Sequence, residues 1–178
     1  MKKDSPIYLG VFLAVTAAIA GGALAFANNM TAPVIAANAE KEEKKSLLEM
    51  YPEASLDDFQ VVDASAITAE NNEVEGVYTY NSGDGNIVIF KCSVSGYDGG
   101  TTFLVGINAE DTTVSAFKAI SNGDTKGLGS QIMDAPFAES LIGKDAAGEL
   151  DTISGATITS TPVVEAINKC AVLAAEVE

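Results

Sequence analysis

From Ile7 to Ala27 the sequence reads IYLGVFLAVTAAIAGGALAFA, a run without a charged side chain. An α-helix rises about 1.5 Å per residue, so about 20 apolar residues are needed to cross the hydrocarbon core of a bilayer. A chain with such a run is either anchored in a membrane or exported behind a cleaved leader. Ala25-Phe26-Ala27 has the small-x-small form of a leader cleavage site, with Lys2-Lys3 as its basic start. The apolar stretch is long for a leader, however, and a retained transmembrane helix is the expectation. Lys2 and Lys3 precede the run and no further cation occurs until Lys41. The positive-inside bias therefore leaves the N-terminus in the cytoplasm and the rest of the chain outside, on a single-pass anchor in the lipid of the cytoplasmic membrane. Gly21-Gly22 and the many alanines give the helix a narrow face suited to packing against other membrane helices.

The chain has 178 residues, enough for one domain plus this appendage. It contains no histidine. Ser-His-Asp and Cys-His pairs, imidazole metal ligation and histidine-bound haem are thereby excluded, because each needs the ring as base or donor. The two cysteines, Cys92 and Cys170, are too few for an ordinary iron-sulfur cluster or structural zinc site, which takes about four ligands. Cys92 falls in a strand-like run and Cys170 on a helix face, which reads as two small core residues, with a disulfide as the alternative. No catalytic residue and no metal ligand is assigned. A net charge of −15 excludes nucleic acid as a partner, since phosphates attract basic proteins.

Three segments follow from the patterning: residues 1–30 with the membrane helix, 31–52 as a stalk, and 53–178 as an extracytoplasmic domain. Ala36 to Met50 is rich in helix formers and mixed charge, and reads as a helical stalk ending before Tyr51-Pro52. Four β-rich runs then appear: Gly76 to Tyr80, Asn86 to Ser95, Thr101 to Ile107 and Thr112 to Ile120. Turn signals at 82–85 (SGDG), 97–100 (YDGG) and 108–111 (NAED) link them, which predicts an antiparallel meander. Asn122 to Gly129 is a glycine-rich loop, and Ser130 to Ile142 looks helical. A last helix is expected to open at Thr161-Pro162, burying Val163, Val164, Ile167, Cys170, Ala171 and Ala174 on one face. The fold class is α+β: a membrane helix, then a small antiparallel sheet packed with helices.

The segment before that last helix, Asp151 to Ser160 (DTISGATITS), gathers hydroxyls at a helix start. Orphan N–H groups and the positive end of the dipole favour an anion there, above all a phosphate, and Gly155 and Ala156 let backbone approach it. Plain helix caps are the competing reading.

This segment resembles the flavinylation motif D-x-x-S-G-A-T-x-T-S of the FMN-binding domain family, in particular the G subunits of Rnf complexes. The C subunits of sodium-pumping NADH:quinone reductases are near relatives. The membrane helix followed by Thr31-Ala32-Pro33, the turn Gly96 to Gly100, and Asp124-Thr125-Lys126-Gly127-Leu128-Gly129, where the family reads E-T-P-G-L-G, extend the likeness over most of the chain. The resemblance implies FMN joined through its phosphate to the Thr157 hydroxyl by a separate flavin transferase that uses FAD. It implies that Ser154, Gly155, Ala156, Ile158 and Thr159 shape a phosphate pocket. Thr125, Gly127, Leu128 and Gly129 would line the flavin, with Lys126 facing the ring or its phosphate. The function it implies is electron relay in an ion-translocating ferredoxin:NAD+ oxidoreductase, whose other subunits carry iron-sulfur centres and flavins. The alternatives are the quinone reductase subunit, a stand-alone extracellular flavoprotein, and a membrane-anchored binding or assembly module of pilin type. The last is disfavoured because the apolar run lacks the early glutamate of pilin helices.

Overall fold

The computed structural model describes residues 6–83 and 85–177. Lys2 and Lys3, which carry the orientation argument, lie outside the described residues, as does Asp84 of the SGDG turn. The chain forms two compact units, Met1–Glu42 and Glu43–Glu178.

The first unit is helical, part of α1 (Pro6–Met50). Sequence patterning predicts two helices here, yet residues 28–35 are helical as well, with Pro33 inside. Pro33 removes only one backbone bond, and the alanines around it are strong helix formers, so the helix runs through it. The N-terminal part of α1 is long and apolar enough to cross a membrane. Its large apolar side chains face outward: Ile7, Leu13, Ile19 and Leu24 are 64–73% exposed. The hydroxyl of Thr16 donates to the Phe12 carbonyl and that of Thr31 to the Ala27 carbonyl, which hides both from a lipid environment.

The second unit is a five-stranded antiparallel meander in the order β1 (Phe59–Val62), β2 (Val74–Ser82), β3 (Gly85–Ser95), β4 (Gly100–Asn108), β5 (Val114–Asn122). Four of these strands match the β-rich runs. The edge strand β1 escapes the patterning because it is four residues long and buries only Phe59. A short helix, α2 (Ser65–Glu70), joins β1 to β2 and likewise has no sequence signal, since it buries no residue.

Both sheet faces are covered, which explains the continuous apolar run Ile87 to Phe90 in the middle of β3. One face sets Val88, Phe90, Cys92, Phe103, Val105 and Phe117 against the helices α3 (Ala135–Leu141) and α4 (Thr157–Ala174). The other packs Ile87, Ile89 and Leu104 against Leu47 near the end of α1 and against Phe59. There Tyr51 reaches over Gly106, where a Cβ would lie 2.0 Å from its hydroxyl oxygen. Burial pushes the Tyr51 phenol up to about 12, against a hydrogen bond to Ser115. Glu43, nearly buried, accepts hydrogen bonds from Tyr78 and from Lys91, the latter at 2.8 Å. Burial opposes the Lys91 charge, but the hydrogen bond and charge of Glu43, with Glu75 behind it, leave the ammonium raised above its ordinary value.

The last helix begins at Thr157, one turn earlier than expected, and Pro162 lies inside it. Ser160 makes this possible. Its hydroxyl donates to the Ala156 carbonyl at 3.0 Å and accepts the Ile153 N–H at 3.0 Å, tying down the loop that enters the helix. The expected apolar face is the buried one, from Val163 through Ala174.

Candidate functional site

Three segments meet at one end of the sheet: the β3–β4 turn at 96–99, the loop after β5 at 123–128, and the first turn of α4. Glycines make the meeting possible. Gly99 and Gly123 lie backbone to backbone, so that a Cβ on Gly99 would be 2.7 Å from the Gly123 Cα. A Cβ on Gly129 would sit 2.5 Å from the Asp124 Cβ and 2.6 Å from the Thr159 hydroxyl. Gly155 turns the chain into α4 at φ 83°, a left-handed conformation that favours glycine.

The hub is Asp124. Its Oδ1 accepts the backbone N–H groups of Asp98 at 2.8 Å and Gly99 at 3.0 Å, while Oδ2 accepts the hydroxyl of buried Thr159. Burial alone would raise this carboxyl, but the hydrogen bonds from Thr159, Asp98, Gly99 and Tyr97 outweigh it and bring it down to about 2. A carboxyl held below its unfolded value stabilises the fold above about pH 4. That contribution is lost as the pH falls through about 2. Thermal melts from pH 6 to pH 2 are therefore expected to fall less steeply for Asp124→Asn than for wild type. An unchanged slope would show that the three-way clamp does not operate in solution.

Between the segments is a cavity of about 310 Å³ lined by Tyr97, Asp124, Thr125, Leu128, Gly129 and residues 155–159. Of the residues singled out in the sequence, the structure thus brings together Thr125, Leu128, Gly129, Gly155, Ala156, Thr157, Ile158 and Thr159. Lys126, Gly127 and Ser154 lie outside the cavity wall, exposed. Gly127 instead shapes its loop, at φ 82°, donating its N–H to the Ser130 hydroxyl. Sequence reasoning gave no role to Tyr97, to Asp124 or to Ser160. For Tyr97 and Asp124 the signal was present, in the turn Gly96 to Gly100 and in the acidic position that opens the second loop.

The cavity has two chemical characters. Tyr97, Leu128 and Ile158 give it an apolar rim, 73%, 53% and 59% exposed. Beside them the first turn of α4 offers the exposed Thr157 hydroxyl. Among the described residues no acceptor meets the N–H groups of Thr157 and Ile158, whereas those of Thr159 and Ser160 are taken by the Ala156 carbonyl. Free N–H groups at the positive end of an eighteen-residue helix suit a phosphate, and the rim suits a flat aromatic body. The residues present therefore fit a flavin mononucleotide.

Comparison with known proteins agrees with this chemistry. Residues 96–172, which hold every residue of the cavity wall, match the FMN-binding domain family, and residues 1–50 match the RnfG N-terminal region. The chain is 30% identical over 184 residues to the G subunit of the Na(+)-translocating ferredoxin:NAD(+) oxidoreductase complex of Acetobacterium woodii, covering 90% of this chain and 87% of the relative. It is 29% identical over 169 residues to the G subunit of the ion-translocating oxidoreductase complex of Methanosarcina acetivorans, covering 89% and 88%. With the protein of the same name from Cereibacter sphaeroides it shares 27% over 183 residues, covering 94% and 83%.

Proposed function

The chain belongs to the family of G subunits of ion-translocating oxidoreductase (Rnf) complexes, and on that footing we propose that it relays electrons through an FMN joined by a phosphoester to Thr157. Its partners are the other subunits of that complex. The observation that carries the covalent reading is the exposed Thr157 hydroxyl, at the mouth of the cavity and beside two N–H groups without acceptors.

The residues divide the work. The N–H groups of Thr157 and Ile158 and the helix dipole offset the phosphate charge. Gly155 brings the backbone close, Thr159 and Asp124 hold the wall, and Tyr97 and Leu128 with Ile158 cover the ring. FMN supplies the redox chemistry, taking up and passing on electrons between centres in the complex. With no histidine in the chain, a flavin transferase makes the bond. The Thr157 oxygen replaces AMP on the FMN phosphorus of FAD, and the threonine proton leaves with AMP. The neighbouring subunits carry iron-sulfur centres and further flavins. The anchor lies in lipid with its N-terminus in the cytoplasm, so the FMN domain faces outward. Covalent attachment suits that place, because a cofactor that dissociates there is lost to dilution.

The test is the chain purified from membranes, denatured and run on a gel under ultraviolet light, with peptide mass analysis. A fluorescent band is expected, together with a mass excess of one FMN less one water on the peptide containing Thr157. A dark band, from cells whose transferase labels a control flavoprotein, would remove the covalent reading.

A further inference from the structure

Away from the cavity, Cys92 on β3 and Cys170 on α4 are fully buried and their sulfurs lie 3.5 Å apart. The two residues are 78 positions apart in the sequence. The segment between them contains the whole cavity wall: the 96–99 turn, the loop with Asp124, and the first turn of α4 with Thr157. Neither thiol lines the cavity.

We propose that Cys92 and Cys170 are a thiol–disulfide site, closed in the mature protein, that makes the flavin-holding part of the chain a single covalent loop. The sulfurs already touch, and closing to a bond of about 2.05 Å takes a shift of roughly 1.5 Å shared between two side chains. In forming the bond each thiol gives up its proton. The two electrons and two protons pass to a protein or low-molecular-weight disulfide, which is reduced to its two thiols. In the folded core the neighbouring Cys170 sulfur and burial push the Cys92 thiol well above its ordinary value, so the nucleophilic thiolate is scarce there. Closure therefore belongs to the docking of α4 during folding, and once closed the bond is shielded from reductants. Closure in the cell rests on the outer-face placement proposed above, because that is where disulfides persist.

The experiment uses the wild-type chain, quenched in acid as it leaves the membrane, denatured, and treated with a polyethylene-glycol maleimide with and without prior reduction. No gel shift is expected without reductant and a shift of two additions after it. Reduction of the purified chain is expected to lower its unfolding temperature by roughly 5–15 °C. Two additions without reductant would overturn the proposal. Ultraviolet fluorescence of the same band reports the flavin separately, so a fluorescent band with two additions sinks the disulfide and leaves FMN in place. Placement is read apart from both. In a chain with Cys92→Ala and Cys170→Ala, Val172→Cys, at a position 64% exposed, is treated with a membrane-impermeant maleimide on intact cells. Labelling with two free thiols in the wild type refutes the bond alone; absence of labelling refutes the outward placement.

Discussion

Thr157→Ala is expected to leave the chain without any attached flavin, read as complete loss of the fluorescent band on a denaturing gel. The two buried hydroxyls of the same helical turn cannot replace it. Thr159 is buried and donates to Asp124, and Ser160 is buried between the Ala156 carbonyl and the Ile153 N–H. Each would have to abandon its bond and leave the core to reach a donor. Thr157 itself is exposed and makes no side-chain hydrogen bond within the described residues, so the same substitution should change unfolding free energy by no more than about 0.5 kcal/mol. Thr157→Ser, which keeps a hydroxyl on the same backbone, should retain attachment. A fluorescent Thr157→Ala band would place the phosphoester elsewhere in the chain.

The second large effect is on stability. Phe103→Ala should lower the unfolding free energy by about 3–5 kcal/mol in urea melts, with the unfolding temperature falling by roughly 10 °C or more. The Phe103 ring is fully buried in β4, 5.4 Å from Phe117 of β5, which in turn meets Phe137 of α3 edge-on at 5.5 Å. Three elements therefore share the vacancy, and a backbone in mid-sheet cannot move in to fill it. A loss under about 1.5 kcal/mol would mean that the surrounding helices collapse onto the site.

Much of this architecture was legible in the sequence because its signals are local. The uncharged run Ile7 to Ala27, the four β-rich runs and the apolar face of α4 each declare themselves within one short contiguous stretch. What was not legible depends on partners far along the chain. Ser160 looks like any helix-start hydroxyl until its bond to Ile153 shows why α4 can begin before Thr161-Pro162. Asp124 opens its loop, and nothing in its neighbours reveals that its carboxylate reaches Thr159, 35 positions away. The anchor and the stalk were legible as two separate patterns, one apolar and one charged, and α1 joins them because one hydrogen bond missing at Pro33 is outweighed by a run of good helix formers.

The strand order β1 to β5 follows the chain without a crossover, and every strand pairs with its predecessor. A ribosome releasing this polypeptide from its N-terminus thus hands each new strand a waiting edge, and the sheet can grow hairpin by hairpin with short loop closures. The helix that bears Thr157 is made last, and only its arrival completes the wall formed with the 96–99 and 123–128 loops. If the flavin is attached at Thr157 as proposed, cofactor loading is consequently a finishing step: a chain truncated or stalled before α4 has all five strands and lacks that hydroxyl.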